Sequence, residues 1–226
     1  MPITNELNAS RNEVSRPEIL YRSFTVSVPD LSVDMFEGPL IPGSEADPTT
    51  GLMTDGNELG VYMTTNYLMA KTAYASSADH LECPRYNSGR GITNTVDLPR
   101  CGVTVEVDTN GLDIRPPKIS SQMQPVYNNG FAGDEWIADQ VPRSNYRVKS
   151  LSLSTYATDR SRVSIEITPD QPLEDAIAKI KSMYAEKLEL AEKFITFLNT
   201  LDDRTRMNEF LLSRKWEQYQ VETKGN

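Results

Sequence analysis

The chain has 226 residues, 38% of them hydrophobic and 24% charged, with a net charge of −9. That apolar share is low for a free-standing globular domain, so part of the chain is expected to find its burial against neighbours. The acidic balance, with one short basic cluster from Arg143 to Lys149, argues against binding by phosphate neutralisation, and nucleic acid is not an expected main partner.

Residues 1–18 are polar and contain no apolar run of secretory length, so no signal peptide is expected. Ten of the 32 acidic residues but three of the 23 basic ones fall within 1–60, which makes this segment an acidic arm. Inside it, Phe24, Val26 and Val28 alternate with Ser23, Thr25 and Ser27, the period of a half-buried strand over Arg22 to Val28. From Leu31 to Gly60 the pairs Gly38-Pro39, Pro42-Gly43, Asp47-Pro48 and Asp55-Gly56 succeed one another as turns. The run far exceeds the median connection of about four to six residues. Its apolar anchors, Met35-Phe36 and Pro39-Leu40-Ile41, favour an extended arm laid on another surface over a solvated linker.

The middle of the chain, 61–167, reads as an irregular β-rich body. Thr64 to Ala75 has helical spacing, with Thr64 or Thr65 as N-cap. Cys83 and Cys101 are the only cysteines, too few for a disulfide framework; they are either free thiols or one bridge closing the loop between them. Asn87-Ser88-Gly89-Arg90-Gly91 has the glycines of a phosphate loop but not its Gly-Lys-Ser/Thr ending, so it reads as a turn. Val103, Val105 and Val107 alternate into Asn110-Gly111, the dipeptide of a tight hairpin turn, which predicts a β-hairpin there. Asp108, Asn110 and Asp113 lack the downstream Gly and Glu of a calcium loop. Phe131 and Trp136 sit in a Gly-rich tract and are read either as anchors for a partner pocket or as the plug of the chain's own core. Two more strands are expected, over Tyr146 to Ser154 and Arg162 to Ile167.

The last segment, 168–226, changes character: it has no glycine or proline between Pro172 and Val221. Thr168-Pro169-Asp170-Gln171 has the form of a helix start, with a hydroxyl cap and proline at the first position. Apolar residues then recur at coiled-coil spacing, with Ile177, Tyr184, Ala191 and Leu198 in one register row and Leu173, Ile180, Phe194 and Leu201 in the other. Lys187 is the one polar residue in that seam. The pattern breaks at Asn199-Thr200, where either one helix of about 50 residues, near 75 Å long, continues, or the chain turns into an αα-hairpin.

With a single histidine, His80, no Ser/His or Cys/His constellation forms, so no catalytic, cofactor-binding or metal-binding residue is assigned and an enzyme is not expected. No cofactor, small-molecule substrate or membrane span is expected either. The expected fold is α+β: an extended N-terminal arm, a small antiparallel β body with long loops, and a C-terminal long helix or αα-hairpin. The layout carried by Leu31 to Gly60, Asn128 to Trp136 and Leu173 to Leu201 resembles the small virion proteins of tailed bacteriophages, such as tail, baseplate, fibre-attachment and neck or capsid-associated components. That resemblance implies a non-enzymatic structural part that bridges neighbouring subunits of a virion assembled in the host cytoplasm. Its partners would be copies of itself or neighbouring virion proteins, met through Leu173, Ile177, Ile180, Tyr184, Ala191, Phe194, Leu198, Leu201, Phe131 and Trp136. The alternative is a cellular scaffold or adaptor module that binds a partner through its C-terminal amphipathic helix.

Overall fold

The computed structural model describes residues 15–42, 60–73, 78–116, 135–154 and 163–224. In chain order these form β1 (Ile19–Val26), a 3-10 turn at Asp34–Phe36, β2 (Val61–Thr64), α1 (Tyr67–Ala73), β3 (Ala78–Asn87), β4 (Ile92–Asp108) and β5 (Glu135–Ala138). A second 3-10 turn at Arg143–Asn145 leads into β6 (Tyr146–Ser154), β7 (Val163–Glu166), α2 (Leu173–Asn199), α3 (Asp203–Arg206) and α4 (Glu209–Lys224). The seven strands make one sheet in the order β5-β2-β1-β4-β6-β7, with β3 beside β4, and every pairing is antiparallel. The fold is α+β, as the sequence predicts.

β4 is the spine because its 17 residues serve two sets of neighbours. Its first part, Ile92 to Pro99, pairs with β3, and Cys101 to Asp108 lies between β1 and β6. The alternation of Cys101, Val103, Val105 and Val107 puts four fully buried side chains on one face. Across the sheet, Phe24, Val103, Leu151 and Ile165 stand in one register row, and α2 covers this face with Ala176, Ile177 and Ile180. Fully burying each such aliphatic side chain stabilises the fold by roughly 1.5–3 kcal/mol.

The opposite face is polar. Ser23, Thr104, Ser150 and Glu166 form the neighbouring register row, and the Ser23 and Thr104 hydroxyls, both buried, share a hydrogen bond of 2.7 Å. α1 lies over this row: Tyr67 donates its phenolic proton to Glu166 and its ring meets that of Tyr21 with centroids 5.2 Å apart.

Several local expectations change. The described part of the acidic arm, 15–42, is woven into the body, because β1 sits between β2 and β4 and Val28, Leu31 and Phe36 are core residues. The Tyr146 hydroxyl donates to the Phe36 and Gly38 carbonyls at 2.9 and 2.7 Å, and Leu40 exchanges backbone hydrogen bonds with Val141. The described part of the arm thus belongs to the same sheet as the body; residues 1–14 and 43–59 lie outside the described residues. Thr64 ends β2 instead of capping a helix, and Asn66 caps α1 by accepting the Met69 N–H at 3.0 Å.

The hairpin forms at a different turn. Asn110-Gly111 does turn the chain, with Gly111 at φ +75°, but no strand returns along β4, whose two edges are already taken by β1 and β6. Arg115 exchanges backbone hydrogen bonds with Ile137 instead. It is the Asn87–Gly91 turn that closes a hairpin, joining β3 to β4, with the Ser88 N–H bonded to the Gly91 carbonyl at 3.1 Å.

The helical end also starts and breaks in its own way. α2 begins after Pro172, and Thr168 is only the first residue of a turn whose carbonyl accepts the Gln171 N–H. Gln171 precedes a proline and is steered away from helical backbone angles, so a helix opened at Pro169 cannot run on. After Asn199 the chain turns, giving the αα-hairpin and not one long helix. Thr200 caps neither of the later helices: the Asp202 carboxylate accepts the Thr205 N–H at 2.8 Å to start α3, and the Asn208 amide oxygen accepts the Leu211 N–H at 3.0 Å to start α4. Cys83 and Cys101 are free thiols in separate apolar clusters. Burial pushes the Cys101 thiol up to about 12 and also raises that of Cys83.

Candidate functional site at the helical end

With 27 residues α2 is about 40 Å long, more than the sheet needs for cover. Its first half lies on the sheet: Ile177 and Ile180 are in the core, with Leu173 and Tyr184 partly buried beside them. The middle is exposed at Glu186, Lys187 and Glu189, which places the polar seam residue where the helix leaves the sheet. Farther on, Ala191 is buried, and Phe194, Phe197, Leu198 and Leu201 meet a second cluster. That cluster is built by Tyr86 and Cys83 of β3, Val96 of β4, and Leu212, Trp216 and Tyr219 of α4.

Aromatic geometry locks this second cluster. Phe194 sits edge-on to both Tyr86 (5.4 Å, 78°) and Trp216 (5.0 Å, 76°), and Phe197 contacts Trp216 and Tyr219 at 5.2 and 5.1 Å. Such edge-to-face pairs contribute about 0.5–1.5 kcal/mol each beyond the area they bury. The β3–β4 turn closes the cluster's rim: Gly89, at φ +78°, lies so close to α4 that a Cβ there would come within 2.3 Å of the Glu209 carboxylate. Glycine is needed at 89 for its backbone angle; the Glu209 carboxylate, at the free end of its side chain, could swing aside for a Cβ.

The expected intermolecular seam is therefore corrected. Leu173, Ile177, Ile180 and Tyr184 face the chain's own sheet, Ala191 is buried within the chain, and Phe194, Leu198 and Leu201 lie in or beside its second cluster. The physical reason is that the β3–β4 hairpin and the returning α4 supply the apolar surface that a second helix would otherwise provide. Trp136 is likewise a plug of the chain's own core, in β5. Phe131 lies outside the described residues.

The outer face of α4 stays exposed. Phe210 is 66% exposed and Val221 74%, with Met207 and Leu211 more than one-third exposed alongside. In the sequence, Met207, Phe210, Leu211, Trp216 and Tyr219 read as one apolar set of a second helix running to about Val221. The separating signal is spacing: Leu212, Trp216 and Tyr219 succeed one another at four and three, whereas Phe210 and Val221 are eleven apart, half a turn round the helix from the first group.

Polar clusters lie elsewhere among the described residues. His80 and Asp97 form an exposed cross-strand pair, Nδ1 to Oδ1 at 2.9 Å. Glu166 accepts from both Tyr67 and Lys71, tying α1 to β7. Burial raises the Tyr67 phenol, and the Glu166 carboxylate raises it further, so Tyr67 stays protonated as a donor at neutral pH. Burial works against ionisation of Glu166, but the Lys71 and Tyr67 hydrogen bonds and the charges of Lys71 and Lys149 outweigh it and hold the carboxyl below the usual glutamate range. A depressed folded-state value means stabilisation that is complete above the ordinary glutamate range and lost as pH falls through the folded value. In Glu166→Gln, α1 amides should exchange faster at neutral pH. The stability deficit relative to wild type, on the order of 1 kcal/mol or less for a solvent-screened pair, should shrink on acidification, as read from Tm across pH. A deficit independent of pH would show that charge is not what holds α1.

Among the described residues no group of three or more metal-ligating side chains is assembled, and no helix is long and apolar enough to cross a membrane. Comparison of the chain with protein-family models, curated proteins and solved structures finds no match.

Proposed function

We propose that this chain is a non-enzymatic structural component of a multi-subunit particle, bridging neighbouring subunits through its helical end. The particle suggested by the resemblance in layout is a virion of the tailed-bacteriophage kind. What supports the reading is one observation: α4 is fastened to the chain's own body by Leu212, Trp216 and Tyr219, yet presents Phe210 and Val221 outward. A helix that is rigidly held and leaves Phe210 and Val221 exposed at the two ends of its outer stripe, with Arg214 and Glu217 between them, offers a mixed apolar and charged face of the kind that a contact site uses.

The reading is tested by rate-zonal sedimentation of lysate from cells producing the chain in its native setting. The 25.4 kDa chain should migrate with particles many times its own mass, and the double variant Phe210→Asp/Val221→Asp should stay near the top of the gradient. Wild-type chain found only at the top would overturn the proposal.

A further inference from the structure

The outer face of α4 has an internal order that identifies what covers it. Phe210, Arg214, Glu217 and Val221 recur at spacings of four, three and four, so they form one stripe along the helix. All four are exposed, and the Arg214 guanidinium lies over the Phe210 ring at 5.4 Å from its centroid. Read forward, the stripe is apolar, basic, acidic, apolar; read backward it is apolar, acidic, basic, apolar.

We infer that the partner is a second copy of this chain, its α4 packed antiparallel on the first about a two-fold axis. This rests on the structural role proposed above and names the occupant of its surface. In the antiparallel register Phe210 stands opposite Val221 of the second copy and Arg214 opposite Glu217 of the second copy, and the symmetry repeats both pairs. A parallel arrangement sets Arg214 against Arg214 and Glu217 against Glu217, so the charge order selects the orientation. The same order favours a copy over a foreign helix, because the stripe already holds both halves of each pair. Met207 and Leu211 widen the apolar contact along one side.

Two magnitudes set the strength. α4 is 16 residues, about 24 Å long, so one helix face covers less than the roughly 800 Å² per partner of a standard interface. Against this, α4 is already ordered by its inner face, so association does not carry the cost of folding the helix. The dimer is therefore weak and concentration-dependent in free solution, and strengthened wherever a particle holds many copies close together.

Sedimentation equilibrium of the full-length purified protein tests the pairing. Wild type should show a monomer–dimer equilibrium. Arg214→Glu and Glu217→Arg should each weaken it by about tenfold or more, because each places two like-charge pairs across the axis. The double variant Arg214→Glu/Glu217→Arg should recover wild-type association, and an equimolar mixture of the two single variants should form heterodimers as readily as wild type forms homodimers. Both positions are exposed, so circular dichroism should report an unchanged fold in every variant. A wild type that stays monomeric at all concentrations, or a mixture that associates no better than either variant alone, overturns the inference. The lysate sedimentation above reads the broader structural role separately: particle-bound chain with no self-association would retain that role and reject the second copy.

Discussion

Ile180→Asp is expected to abolish the cooperative thermal transition of the protein or bring it below ambient temperature. Ile180 is fully buried in the apolar layer between α2 and the sheet. A carboxylate there has no partner, and an uncompensated buried charge costs several kcal/mol even after relaxation. Total stabilities of natural domains are only about 5–15 kcal/mol, so a single loss of this size removes most of the margin. Ile180→Ala, which leaves a cavity but no charge, should cost about 2–5 kcal/mol and remain folded. Glu189→Ala, on the exposed middle of α2 where Glu189 pairs with Lys193 at 2.7 Å, should leave the transition where it was. Thermal unfolding followed by circular dichroism checks all three. The decisive contrary outcome is an Ile180→Asp protein that keeps its transition but changes its oligomeric state, for then the stripe would face another molecule and not its own sheet.

That contrast also marks what a sequence can and cannot reveal. Alternation of apolar and polar residues, broken once at Lys149-Ser150 where the register against β4 shifts, still makes β6 readable with both ends in place, and it places β7 to within a residue at either end. β1 is legible from Phe24 and Val26, but its first half, Ile19 to Tyr21, does not alternate and gives no signal. β3 carries no periodic signal at all, because Ala78 to Asn87 is largely polar and holds Pro84 where its register against β4 slips, between Glu82 and Tyr86. Its place in the sheet is set by long-range pairing and by the glycine turn after it. β2 and β5, four residues each and buried on both faces, are too short to show any period.

Along the helical end, periodicity says correctly that one stripe of α2 is buried, and it has no means of saying by what. A heptad pattern reports the burial of a row of side chains, and a sheet with a hairpin beside it can bury that row as well as a second helix can. The same limitation hides the exposed stripe of α4. Phe210 and Trp216 are both aromatic and six residues apart, and only the packing of Trp216 on Phe197 shows which of the two faces is left over.

Phe197→Ala is expected to release α4 from the body while leaving the sheet folded. Phe197 is buried between α2 and α4 and contacts Phe194, Trp216 and Tyr219. Removing a buried ring of this kind costs about 3–5 kcal/mol when the site cannot collapse. Here the loss falls on an element fastened by one small cluster, so local opening is cheaper than global unfolding. The two tryptophans separate the alternatives: Trp136 reports on the sheet core and Trp216 on the second cluster. In the variant, Trp216 emission should shift to the red under native conditions, trypsin should cut near Arg204 and Arg206, and Trp136 should keep its buried emission until the main thermal transition. Single-tryptophan backgrounds, with Trp136→Phe or Trp216→Phe, resolve the two signals. If both tryptophans become exposed in one transition, α4 belongs to the same cooperative unit as the sheet. If they separate as expected, the outer stripe of α4 is presented only while Phe197 holds its inner face, and Phe197→Ala should lose self-association although it touches no residue of the stripe.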